Sequence, residues 1–346
     1  MKNSLISTFH EIDSPANSRS FDGEVLGQIV FGGDSGLRES ATGAPILDIP
    51  MSSDGFDSFT ETWITNRSVT CGTSGDLAYS YDGEYFFCVA RIPEAGEYAN
   101  ATRSVYEQAF RLIAEYNYQN IFRMWNFVGG IVEKNSQGME IYRDFVSGRS
   151  EAFKSYGDGT GRMPAATGIG TRARGISICF LAARNGKPID LENKRQVPAY
   201  RYPKAYGPES PSFARATLLE HAGKSETADE VDETLFVSGT ASIIGHETVH
   251  RDNVGLQTAT VLDNIAELIG SENLASVGRA SEFRLDDLRR VKVYVKNEID
   301  APEVKSVVTA RLGVDVDVKY LNVAVCRDDL LVEIEGLIPG SHWDQT

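Results

Sequence analysis

The chain has 346 residues, 41% of them hydrophobic and 24% charged, with a net charge of −15. That length leaves room for more than one core, and the balance is that of a globular protein. The acidic excess excludes the basic footprint of a nucleic-acid binder and attachment to an anionic membrane. It does not exclude a small dianion, because a few buried arginines make a positive pocket in an acidic protein. No apolar run reaches the about 18 residues of a membrane span, and the opening MKNSLISTFHEIDS has no apolar core for a secretion signal. A cytoplasmic protein is therefore expected. Cys71, Cys88, Cys179 and Cys326 form no CxxC pair and lack metal-ligand spacing, so free thiols and no metal are expected.

The N-terminal stretch, to about residue 60, reads as turns rich in Gly, Ser and Asp with one strand over 24–31. Then YFFCVA (85–90) reads as a strand and VYEQAFRLIAEY (105–116) as an amphipathic helix. IFRMWNFV (121–128) is a strand, 141–156 a helix, and 166–171 and 176–183 are two closing strands. The segment 185–211, with Tyr200, Tyr202 and Tyr206 among its prolines and lysines, reads as an ordered crossing. FVSGTA (236–241) is a strand, and LQTATVLDNIAELI (256–269) has apolar residues at helical spacing. VKVYVK (291–296) alternates like a half-buried strand. Pro302 opens a second helix that a Gly closes. Strands over 319–325 and 331–337 follow, joined by a turn at Arg327, Asp328 and Asp329. The order β-α-β-α-β-β thus occurs twice, which marks an internal repeat. It predicts an α+β protein of two modules, 1–190 and 191–346, each a mixed sheet with helices packed on one face.

Two apparent motifs fail on context. His246 to His250 reads HExxH, but that zinc signature works on a helix, and here it follows a strand and Gly245. GIGTRARG has the wrong glycine spacing for a dinucleotide site. In LVEIEGL, Glu333 and Glu335 share one face of a strand. Either they are two solvated glutamates, or one sits in a pocket where desolvation keeps it neutral and fit to act as an acid.

SGTA (238–241), QTATVLDNIAEL, LDDLRRVKVYVK and VEIEGL resemble the YjgF/Rid superfamily over about 230–340, and PAATGIG matches it more loosely in the first module. Five longer stretches are similar to the chorismatase family: YNYQNIFRMWNFVGGI (116–131), YRDFVSGRSEAF (142–153), PAATGIGTRARGISICFLAA (164–183), YGPESPSFARA (206–216) and SGTASIIGHETVH (238–250). The resemblance implies tandem Rid/YjgF-like, chorismate-mutase-like modules acting on chorismate with no cofactor. It places the catalytic acid at Glu333, in the second module alone, since the matching strand ISICFLA has no carboxylate. It implies that Cys326 and Gly239 mark members forming 3-hydroxybenzoate, whereas hydrolytic members carry other small residues there. Nothing around Cys326 marks a reactive thiolate. Arg215, Tyr206 and Arg149 are candidates to hold the substrate carboxylates, arginine because its planar fork binds them bidentately. Rid-type modules imply a homotrimer. Three alternatives stay open: a hydrolytic outcome giving a dihydroxy-diene acid, mixed 3- and 4-hydroxybenzoate formation, and a non-catalytic metabolite-binding Rid-like protein.

Overall fold

The computed structural model describes residues 5–12, 23–51, 53–156, 162–221 and 232–340. Its first sheet contains β1 (Leu5–His10), β2 (Glu24–Phe31), β3 (Gly36–Glu39), β4 (Pro45–Ile49) and β5 (Phe59–Thr65), in the order β1-β5-β2-β4-β3. This corrects the expectation of a single strand. The polar residues of LISTFH and FTETWIT hide their strand pattern, and in β5 all of them are buried.

The second sheet is built from β6 (Thr70–Ser74), β7 (Leu77–Tyr81), β8 (Tyr85–Ile92), helix α1 (Ala99–Glu115), β9 (Asn120–Gly129), helix α2 (Ile141–Tyr156), β10 (Ala165–Thr171) and β11 (Ile176–Ala183). The third is built from β12 (Lys187–Leu191), β13 (Ala216–Glu220), β14 (Glu233–Ala241), β17 (Arg290–Val295), β18 (Asp317–Asn322) and β19 (Val332–Ile338). Between β14 and β17 come a small hairpin, β15 (Ile243–Ile244) and β16 (Glu247–Thr248), then α3 (Val254–Ile269) and α4 (Ser271–Ser276). Helix α5 (Ala301–Arg311) connects β17 to β18.

The strand orders β10-β9-β11-β8-β7-β6 and β18-β17-β19-β14-β13-β12 correspond position by position. In each, only the edge pair is parallel, β9 with β10 and β17 with β18. The repeat is therefore real, and the α+β fold of two tandem modules holds. Each module also carries an antiparallel strand pair that the sequence reading missed, β6–β7 and β12–β13; β12 lies inside the segment read as a crossing.

Local chemistry sets the helices. In α1, Val105, Ala109, Phe110 and Ile113 recur at helical spacing and are buried on the second sheet. Asp144 of α2 accepts from the Tyr98 and Ala99 backbone N–H groups at 2.6 and 3.1 Å, so an acidic side chain satisfies the open start of α1. Asn253 caps α3 by accepting from Leu256 N at 2.8 Å. Pro302 stands in the first turn of α5.

The helices cover one face of each module sheet and form two separate cores. The opposite faces meet each other and the first sheet in a central core that includes Phe31, Trp63, Phe87, Trp125, Phe236 and Tyr294. Both faces of VKVYVK are thus covered, which corrects the half-buried reading: Lys292 is buried beneath the first sheet. Edge strand β10 fastens the modules. Ala165 N donates to Thr217 Oγ1 at 2.8 Å, Ala166 N to Ser238 Oγ at 3.0 Å and Gly170 N to Ala324 O at 2.9 Å. A Cβ at Gly170 would lie 2.5 Å from that same oxygen, so the close approach needs glycine. Among the described residues no helix is long and apolar enough to cross a membrane.

Candidate active site

A cavity of about 590 Å³ opens between the modules where β10 crosses the third sheet. Tyr142, Ala166 and Gly168 line it from the first module, Tyr202 and Tyr206 from the crossing segment, and Phe213 and Arg215 from the stretch between that segment and β13. Gly239, Ala241, Cys326, Arg327 and Glu333 complete the wall from the second module.

Glu333 and Glu335 both point inward from β19 and are 3% exposed, so neither is a solvated surface group. Their surroundings separate them. Burial, reinforced by the neighbouring Glu335 charge, pushes the Glu333 carboxyl up to about 8 against the pull of Arg123 and Arg215. No donor among the described residues bonds it. For Glu335 burial also opposes the charge, but Lys292 and Arg123 outweigh it and hold the carboxyl down at about 2. Two carboxyls on one strand thus sit in opposite protonation states at neutral pH, the pattern that separates a proton donor from a fixed charge.

Gly239 lies under the Glu333 carboxyl. A Cβ there would stand 2.0 Å from Glu333 Oε1, so glycine is what lets the acid occupy this place. The Cys326 thiol lines the cavity, and burial followed by the Glu333 charge pushes it up to about 12. It stays protonated at neutral pH, consistent with the absence of a thiolate signal in the sequence.

Arg215 is buried, and its Nη2 donates to Val197 O at 2.9 Å and to the Tyr202 hydroxyl at 2.8 Å. Its Nε is buried without a partner among the described residues. An orphaned guanidinium donor on a cavity-lining residue is a costly feature unless a ligand answers it. The Tyr206 hydroxyl lies 3.1 Å from His246 Nδ1, and the Arg327 guanidinium stacks 4.0 Å from the Tyr206 ring centre. Arg327 Nη1 also donates to His246 O at 2.9 Å, tying the β15–β16 hairpin to the loop before β19. His246 and His250 therefore belong to a hairpin and the loop after it, not to a helix. Among the described residues no group of three or more His, Cys, Asp or Glu side chains is arranged to hold a metal ion.

Five of the six residues singled out in the sequence, Glu333, Cys326, Gly239, Arg215 and Tyr206, share this cavity. Arg149 does not line it. Its Nε donates to the Tyr106 hydroxyl at 3.0 Å, its Nη1 to Ser212 O, and its guanidinium lies 4.6 Å from the Phe153 ring centre. It anchors the crossing segment from behind. The sequence reading missed Arg327, which it assigned to a turn; adjacency to Cys326 was the only available signal. It also missed Arg123, buried in the apolar run IFRMWNF. Together these groups can bind a small dianion and offer its bound form one proton.

Comparison with known proteins gives the same class. A sequence-family model described as "Chorismatase FkbO/Hyg5-like, N-terminal" matches residues 61–182. A 3-hydroxybenzoate synthase of Streptomyces hygroscopicus is 46% identical over 296 residues, 86% of each chain. A chorismatase of Streptomyces rapamycinicus is 42% identical over 298 residues, 86% of this chain and 87% of the other. A chorismatase crystal structure superposes with a TM-score of 0.90 at 38% identity, covering 98% of this chain and 99% of that one. The chain belongs to the chorismatase family.

Proposed function

We propose that the protein converts chorismate to 3-hydroxybenzoate and pyruvate, with Glu333 as general acid. The observation that carries this reading is a buried, neutral Glu333 in the same cavity as Arg215, whose Nε has no partner among the described residues. The 46% identity to a 3-hydroxybenzoate synthase supports the choice of product. Arg215 and Arg327 hold the two substrate carboxylates, and Tyr206 holds Arg327 in place. Arg149 contributes indirectly, through the segment that carries Arg215.

The chemistry follows from the substrate's enol ether. Glu333 protonates the terminal methylene carbon of the enolpyruvyl group, giving an oxocarbenium ion and weakening the bond between the ether oxygen and the ring. The neighbouring ring hydroxyl displaces that oxygen. Pyruvate leaves, an arene-oxide-like species forms, and the hydroxyl proton restores the acid. Opening of the oxide gives 3-hydroxybenzoate. No water is consumed and no electrons are exchanged, so the sum of the two products equals the substrate. The protonated Cys326 takes part by its volume and S–H group beside Glu333, not as a nucleophile. The test is incubation of the purified protein and of Glu333→Gln with chorismate, without metal or cofactor: pyruvate release by the first and none by the second supports the reading. Full activity in the variant overturns it.

The reading extends to the chain as a whole. The boundary between modules of residues 1–190 and 191–346 falls at the last residue of β12, ahead of the stretch that carries Tyr206 and Arg215. We propose a single chain rather than the homotrimer implied by Rid-type modules; the burial of the inward faces of both module sheets against the first sheet supports this. A cytoplasmic location fits four unpaired cysteines.

A further inference from the structure

Glu335 shares a face of β19 with Glu333 but does not line the cavity. Its Oε1 accepts from Trp125 Nε1 at 2.9 Å and from Lys292 Nζ at 2.8 Å. Its Oε2 lies 2.8 Å from Arg123 Nη2 and accepts from the Thr167 hydroxyl. Lys292 in turn reaches Glu61 of the first sheet at 2.6 Å. Two buried cations, Lys292 and Arg123, thus balance two buried anions, Glu335 and Glu61. A charge on Glu333 would be a third anion beside a cluster that is already neutral.

A second link is geometric. The Thr167 hydroxyl, while donating to Glu335, accepts from Gly239 N at 3.0 Å and from Arg123 Nη2 at 2.7 Å. Gly239 is the residue on which the Glu333 carboxyl rests. The path from Glu335 through Thr167 to Gly239 therefore sets where the acid can lie.

We propose that Glu335 is a positioning residue for Glu333: its fixed negative charge adds to burial in opposing a second charge on the neighbouring carboxyl, and its bond to Thr167 holds Gly239 and the acid in register. The proposal rests on Glu333 being the general acid. The groups that face Glu333 are Glu335 on its own strand, Arg123 from β9, Arg215 from just before β13, Cys326 from the preceding loop and Tyr142 from α2. Those that face Glu335 are Lys292 and Tyr294 from β17, Arg123 and Trp125 from β9, and Thr167 from β10. Removing the Glu335 charge leaves a surplus cation beside Glu333, so the acid loses its proton at lower pH. Removing Arg123 acts in the opposite sense.

The experiment is the pH dependence of kcat/KM for five forms: wild type, Glu335→Gln, Arg123→Met, the double variant, and Thr167→Val. The wild type is expected to lose activity as pH rises past about 8, where the Glu333 carboxyl gives up its proton. Glu335→Gln is expected to move this alkaline limb down by about one pH unit or more, a tenfold loss of the acid form at a given alkaline pH. Arg123→Met is expected to move it up, and the double variant to return it toward the wild-type position. Thr167→Val, which keeps every charge, is expected to lower kcat at all pH values with the limb in place. A limb that stays put in Glu335→Gln, or in Arg123→Met and the double variant should Glu335→Gln fail to fold, overturns the proposal. The control is Glu333→Gln: if that variant is active, the acid assignment itself has failed, and if it is inactive while the limb stays put, only the role of Glu335 has.

Discussion

Replacing Glu333 by glutamine should remove activity and at the same time stabilise the protein at alkaline pH. The wild-type carboxyl is raised from its ordinary 4.5 to about 8 in the folded state, by burial first and by Glu335 second. Between those two values the folded protein keeps a proton that the unfolded chain has released, so wild-type stability falls as pH rises. The contribution is full below the unfolded value and is lost progressively until the folded value is passed. At 1.36 kcal/mol per pH unit the loss amounts to about 5 kcal/mol. That is a large share of a typical total of about 5–15 kcal/mol. The glutamine side chain cannot ionise and escapes this loss, while every other titrating group is common to both proteins and cancels. Urea unfolding of wild type and variant at intervals from pH 5 to pH 9 measures the difference. The variant should gain steadily on the wild type across this range and level off above about pH 8. Parallel stability curves would refute the reasoning, because they would mean that Glu333 is charged in the folded protein.

Other expectations follow from the same geometry. Arg215→Gln should raise KM for chorismate by about 100-fold, near 3 kcal/mol of lost charge-assisted binding, with a smaller effect on kcat; steady-state kinetics in which KM is unchanged would contradict the assignment. Gly239→Ala places a methyl where only 2.0 Å separates it from Glu333 Oε1, so the carboxyl must move. Its kcat should fall at least about tenfold or its product ratio should change, read by chromatography of the ring acids. Sedimentation at micromolar concentration should show one chain per particle, and a trimer would mean that some face other than the covered inner ones binds copies of the chain.

The repeat was legible because its signals are local. Helical spacing in VYEQAFRLIAEY and LQTATVLDNIAELI, and the paired closing strands after each second helix, depend on neighbours a few residues away. The first sheet was not legible, because its meaning lies across long distances: Glu61 in FTETWIT looks like a surface residue until Lys292 is brought to it from 231 residues away. The same holds for the two glutamates of LVEIEGL, which have identical positions in the strand pattern. What separates them is that Trp125, Lys292, Arg123 and Thr167 all reach Glu335, whereas Glu333 faces the cavity. Among the arginines, residue type alone could not tell Arg149, enclosed by Tyr106, Ser212 and Phe153, from Arg215, which keeps a donor beside the cavity unpaired among the described residues. Arg327 was hidden by the turn in which it sits.

The most direct test of the central claim is product analysis: the purified protein is given chorismate alone, and the products are identified by chromatography and mass. Equal amounts of pyruvate and 3-hydroxybenzoate, with no oxygen incorporated into the ring acid from labelled water, are the predicted result. A dihydroxy-diene acid in place of 3-hydroxybenzoate would contradict the intramolecular branch, and the absence of any pyruvate would contradict the assignment of an enzyme at this cavity.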